Sequence, residues 1–127
     1  MKKLTLALAA GVMMLGLAGC NHNVDSVQKK LANEGYTVTV KETNALSFLF
    51  VKIEIEGLKN TLTATKDSEL LHAWFFDTKE NADKCWNTYA ADFASADSGK
   101  EDSGAGVSNN VIYVGTANAV KLAGFTL

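Results

Sequence analysis

Thr61-Leu62-Thr63-Ala64-Thr65-Lys66-Asp67-Ser68-Glu69-Leu70-Leu71-His72-Ala73-Trp74-Phe75-Phe76 is the stretch that decides the fold. Leu62 and Ala64 alternate with three threonines, the two-residue period of a strand with one apolar and one polar face. Lys66-Asp67-Ser68 is polar and reads as a turn. Residues 70–76 follow as a strand that is apolar on both faces. One-sided alternation marks an antiparallel sheet covered on one side. In the two-sided strand, either Trp74 and Phe76 or Ala73 and Phe75 must then face away from the covering helices.

Upstream, residues 36–42 set Tyr36, Val38 and Val40 against Thr37, Thr39 and Lys41. Residues 49–56 repeat the pattern, with Val51, Ile53 and Ile55 opposite Lys52, Glu54 and Glu56. With a turn over 57–60, these segments predict a four-strand meander. Ahead of it, Asn23 suits the N-cap of a helix over 24–34, with Val24, Val27 and Leu31 on one stripe. Gly35 suits the left-handed position beyond the helix end, and Tyr36 then packs back on Leu31.

Downstream, Asp77 and Glu80 form a capping-box variant before a second helix, whose stripe is Ala82, Cys85, Trp86, Tyr89 and Phe93. Residues 95–109 are rich in Ser, Gly and charge and read as a mobile loop. Residues 111–114 form a last strand, and Thr116 caps a short helix carrying Ala119, Val120 and Ala123. The expectation is an α+β domain of two layers: a mainly antiparallel sheet of about five strands, with helices packed on one face.

Candidate sites are few. His72 is the one histidine inside the predicted fold, yet no carboxylate or second ligand stands at a spacing that would make it a base or a metal ligand. His22 has a similarly weak case. Cys85 lies on an apolar stripe and reads as a small buried hydrophobe. Asp97, Glu101 and Asp102 lack the ligand pattern of a calcium loop. Neither a metal nor a cofactor is expected. Leu46-Ser47-Phe48-Leu49-Phe50 breaks the pattern: if the parity of Val51, Ile53 and Ile55 runs back unbroken, Phe48 and Phe50 share the polar face with Lys52. Exposed there, Phe48, Phe50 and Trp74 would form a partner-binding face. A bulge or short turn would instead return the rings to the core.

The N-terminus carries the clearest motif. Lys2 and Lys3 precede an uncharged run over 4–18, which ends in Leu17-Ala18-Gly19-Cys20. The run is shorter than the ~20 residues a membrane-spanning helix needs. These residues resemble the lipobox of bacterial prolipoproteins with a type II signal peptide. The alternative is an ordinary secretory signal followed by a chance cysteine. The resemblance implies that a diacylglyceryl group joins Cys20, that a type II signal peptidase cuts after Gly19, and that Cys20 becomes the first residue. Residues 1–19 are then the signal peptide, 20–23 the lipidated cysteine and a short tether, and 24–127 one small domain. Three tether residues reach about 10 Å. Asn21 is not the aspartate of the enteric inner-membrane retention pattern, which favours the outer membrane in a Gram-negative source.

Removing residues 1–19 from 127 leaves 108, carrying 10 lysines against 14 acidic residues and no arginine. A net charge of −4 argues against nucleic acid and against electrostatic docking on anionic lipid. With Cys20 lipidated, Cys85 has no partner for an internal disulfide. The expected function is a membrane-anchored envelope lipoprotein, held at the cell membrane or outer membrane with its domain outside the cytoplasm. It would act as a small non-enzymatic binding or structural module, with an envelope protein as a possible partner. The alternative is an inhibitor of an extracellular enzyme, or a small surface hydrolase using the open sheet face.

Overall fold

The computed structural model describes residues 21–48, 51–95 and 103–125, and of Phe48 the backbone alone. Within them the order is α1 (Val24–Asn33), β1 (Thr37–Glu42), β2 (Ala45–Phe48), β3 (Val51–Glu54), β4 (Leu58–Lys66), β5 (Glu69–Phe76), α2 (Lys79–Ser95), β6 (Ser103–Ser108), β7 (Val111–Thr116) and α3 (Ala117–Ala123). The main sheet has five strands in the order β1-β4-β5-β7-β6, every neighbouring pair antiparallel. The fold is therefore α+β.

Both flanking helices end by the same device. Gly35 adopts φ +92°, Gly35 N–H donates to the Ala32 carbonyl, and Tyr36 N–H donates to Leu31 at 3.0 Å. Gly124 adopts φ +90°, with Gly124 N–H bonded to Lys121 and Phe125 N–H to Val120. These paired bonds satisfy carbonyls that a helix end otherwise leaves orphaned, and only glycine reaches that backbone without strain. Tyr36 and Phe125, the aromatic residues that follow, are both buried in one core cluster with Leu31 and Val120. Asn23 caps α1 as expected, its side-chain oxygen accepting from Ser26 N–H at 3.1 Å. At α2 the cap is Thr78 rather than Asp77: Thr78 Oγ1 accepts from Asn81 N–H, while Asp77 binds the Asn81 side-chain amide.

The meander is interrupted. Residues 45–54 form a separate antiparallel hairpin, β2–β3, and β1 pairs directly with β4 across it. Backbone bonds from Thr43 to Lys59 and from Ile55 to Asn44 pinch its base. Leu46, 1% exposed, secures it in a cluster with Leu58 and Phe76. Period two does not distinguish a strand of the main sheet from a strand paired only with its own hairpin partner.

The helices lie on both faces of the sheet, not on one. Leu62, Ala64, Leu71, Ala73, Phe75, Val111 and Tyr113 pack with Val27, Leu31, Ala119 and Val120 of α1 and α3. Alternate residues point the other way. Trp74, Phe76, Ile112 and Val114 pack with Ala82, Cys85 and Phe93 of α2. The cause is that β5 and β7 are apolar at consecutive positions, so each face requires a cover. Burying one such large side chain contributes roughly 1.5–3 kcal/mol.

Residues 103–108, expected within the mobile loop of 95–109, instead form edge strand β6, paired with β7 from Ser103↔Thr116 to Ser108↔Val111. Residues 96–102 lie outside the described residues. β6 is inconspicuous in sequence because it is built mainly of serine, glycine and alanine. A Cβ on Gly106 would stand 2.7 Å from the Tyr113 hydroxyl. Ala105 and Val107 pack toward α2.

Gly115 and Gly104 are paired across β7 and β6 but differ in surroundings. A Cβ on Gly115 would meet the Leu70 carbonyl oxygen at 2.6 Å and Leu71 Cα at 3.0 Å, whereas one on Gly104 meets nothing within 4 Å. Gly115→Ala is expected to cost ~2 kcal/mol or more in urea unfolding, with Gly104→Ala near neutral or stabilising. Equal effects of the two would contradict this packing.

Candidate functional site

Among the described residues, polar chemistry comes together at the end of the sheet where the described chain starts and on the part of its α2-side face that α2 leaves uncovered.

At the sheet end, residues 21–23 are docked rather than free. The β6–β7 turn uses Asn109 at φ +52°, and the next residue, Asn110, is 3% exposed. The Asn110 side-chain oxygen accepts from His22 N–H at 2.6 Å. Its Nδ2 donates to the His22 carbonyl at 3.1 Å and to the Phe76 carbonyl at 3.0 Å. Phe76 N–H returns a bond to the Asn110 carbonyl. One buried amide thus pairs both backbone groups of His22, as a neighbouring strand would. His22 Nε2 lies 3.0 Å from Ser108 Oγ, and its ring meets Phe125 edge-on with centroids 5.0 Å apart. Burial, followed by the nearby Lys30 charge, lowers the His22 pKa below 6.5. Residues 21–23, expected to be a tether, are thus held at His22 by the fold.

The uncovered part of the face is a groove of about 360 Å³. Lys41 from β1, Thr61 and Thr63 from β4, and His72 and Trp74 from β5 line it, and Thr43, Ala45 and Ser47 at β2 close its side. Cross-strand register sets the floor, with Thr63 opposite His72 and Thr61 opposite Trp74. Trp74 is half-buried, its ring edge-to-face with Phe93 of α2 at 5.0 Å. Thr63 Oγ1 stands 3.4 Å from His72 Nδ1, and burial lowers the His72 pKa. The imidazole is consequently neutral at pH 7.

The expected candidates separate accordingly. Trp74 lines the groove. Phe48 pairs with Val51 as a partner on the neighbouring antiparallel strand, so the parity of β3 does not run back through Phe48. The Phe48 side chain and the whole of Phe50 lie outside the described residues, as do Gly19, Cys20, Asp97, Glu101 and Asp102. Glu54 and Glu56 line a different, smaller depression with Asn81, Lys84, Cys85 and Tyr89, so they do not join His72. Burial raises the Cys85 thiol to about 11, the opposite of an activated nucleophile. Among the described residues no group of three His, Cys, Asp or Glu is placed to hold a metal, and no helix is long and apolar enough to cross a membrane. The Asn110 lock and the hydroxyl lining of the groove had no signature in sequence. Asn109-Asn110 could only have been recognised as a turn.

The two histidines make stability pH-dependent. Both folded-state values lie below 6.5, so below that pH the unfolded chain binds protons more readily than the folded one. Their contribution is complete above pH 6.5 and is lost as pH falls through the lowered folded values. Urea midpoints are expected to drop between neutral pH and about pH 5, above the range where most carboxylates titrate. Replacing both with His22→Gln and His72→Gln should flatten that slope, and an unchanged slope would refute the assignment. No protein-family model, curated protein or solved structure matches this chain, so its function is read from the chemistry of its own surfaces.

Proposed function

We propose that this chain is a lipid-anchored envelope lipoprotein whose domain, outside the cytoplasm, works as a small non-enzymatic binding module. Cys20 carries the diacylglyceryl group after cleavage behind Gly19, and the acyl chains hold the protein to the cell membrane or outer membrane. The observation that supports this reading is how close to the lipobox cysteine the chain is held. His22 is locked by Asn110 through both of its backbone groups, two residues beyond the lipobox cysteine. Two residues span at most about 7 Å. A mature chain starting at Cys20 would keep His22 and its Asn110 partner, and the body would sit against the headgroups with little slack.

The binding role draws on the groove. Its histidine has a threonine hydroxyl as its partner, and its residues offer hydrogen-bonding groups and one aromatic surface. A proton-transfer site requires a base held by an orienting group within reach of a reacting atom. Thr63 holds His72 Nδ1 loosely, at 3.4 Å, and Glu42, the acidic residue that shares the groove, makes no hydrogen bond to the imidazole.

Fatty-acid labelling in the native envelope tests the anchor. The wild-type chain is expected to take label and to appear as the shortened mature form. Cys20→Ala should remain an unlabelled full-length precursor. Undiminished labelling of Cys20→Ala would overturn the lipoprotein reading.

A further inference from the structure

We infer that the groove between the β1–β4–β5 face and the β2–β3 hairpin binds an uncharged oligosaccharide, with Trp74 as the stacking surface and the surrounding hydroxyls as its hydrogen-bonding partners. The inference deepens the binding-module reading and rests on it, but it is independent of the anchor. Four hydroxyl-bearing residues, Thr43, Ser47, Thr61 and Thr63, line one concavity; the Thr43 hydroxyl is bonded to the Ala45 backbone, and that of Thr63 lies 3.4 Å from His72 Nδ1. A hydroxyl is at once a donor and an acceptor, which is what a ligand made of hydroxyls requires of its site. An ordinary apolar ligand pocket is walled by aliphatic and aromatic side chains with few polar groups. In this lining polar residues outnumber apolar ones.

Charge narrows the class. Lys41 and Glu42 are the charged residues of the lining and offset one another, while His72, its pKa lowered by burial, is neutral at pH 7. A phosphate or nucleotide would find one lysine beside a carboxylate, not the clustered cations or backbone donors that such ligands require. The groove is therefore matched to a ligand that is polar without being ionic.

Trp74 completes the match. Its T-shaped contact with Phe93 holds the indole in place from the α2 side, and its remaining surface lines the groove. The C–H face of a sugar ring is apolar although its rim is polar, so a fixed aromatic plane beside hydroxyls recognises both parts together. A volume of about 360 Å³ lies at the small end of ligand sites and suits a short run of sugar rings. An extended peptide would demand apolar pockets at alternate residues, whereas of the aliphatic residues in this lining Leu62 and Ala73 are buried in the core cluster of the opposite face and Ala45 offers only a methyl group.

Saturation-transfer NMR of the purified full chain, in a detergent without a sugar headgroup, tests the proposal with chitotetraose and maltotetraose as probes. Transfer is expected to at least one of the two, with competition between saccharides and none from inorganic phosphate. Ser47→Ala combined with Thr61→Val removes two hydroxyls while keeping the strand backbone and the Trp74–Phe93 contact. It should weaken binding roughly tenfold at unchanged thermal stability. Trp74→Ala should weaken it at least as much, and the double variant guards against a loss caused by unfolding alone. No transfer to either saccharide from folded protein at millimolar ligand would overturn the inference. So would equal affinity in the double variant, or displacement of the saccharide by phosphate. Capture of an extended peptide in this groove without saccharide binding would also overturn it, while leaving the binding-module reading in place. Failure of fatty-acid labelling would remove the anchor and leave saccharide binding untouched.

Discussion

The apolar side chains on both faces of β5 and β7 are the constraint on which the rest of this structure depends. Leu71, Ala73 and Phe75 require one cover, and Trp74 and Phe76 require another on the opposite side. β7 repeats the demand with Val111 and Tyr113 against Ile112 and Val114. A sheet of this composition cannot leave either side of its centre in water. α1 and α3 therefore take one face and α2 the other, and the remaining strands fall outside this doubly covered pair. β6 flanks β7 with small side chains, and β4 and β1 flank β5 with threonines turned to the less covered face.

The same constraint explains why there is a groove. α2, kinked at Tyr89, packs over β5, β7 and β6, where the apolar residues are. The threonine faces of β1 and β4 need no cover, and the β2–β3 excursion rises beside them instead. The polar concavity is the space between these two solutions, one apolar and one hydroxylated, with Trp74 at their boundary. At the end of the sheet, Asn110 performs a similar joining function. Its buried amide satisfies groups from β5 and from residue 22, which ties the start of the fold to its central strand. An unpaired buried amide is costly, so this cluster holds as a unit.

Local signals were read well from sequence where local physics decides them. The Asn23 cap, the Gly35 closure of α1 and the burial of Tyr36 on Leu31 follow from hydrogen bonds within a few residues. The stripe Ala82, Cys85 and Phe93 was legible for the same reason, since helical spacing is a property of neighbours. β6 was missed because its residues are chosen by what stands across from them, the Tyr113 hydroxyl above all. The hairpin over 45–54 was merged into the sheet because alternation records a strand's faces and not its partner. Within the candidate site, Trp74 was legible as an aromatic in an ambiguous position. The four hydroxyls were not, because they come from separate strands and a loop.

The sequence by itself determined the element types outside β6, the closure of α1, the α+β class and the alternation that makes β1 and β4 two-faced, because each arises from interactions a few residues long. Tertiary structure alone decided which face α2 covers, that β1 reaches across an excursion to β4, and that Thr43, Ser47, Thr61, Thr63, His72 and Trp74 share one groove. It also decided that His22 is held by Asn110, a contact between residues 88 positions apart. Such contacts depend on which strands pair and on where buried amides and aromatic rings find their complements, and no window of neighbouring residues contains that information.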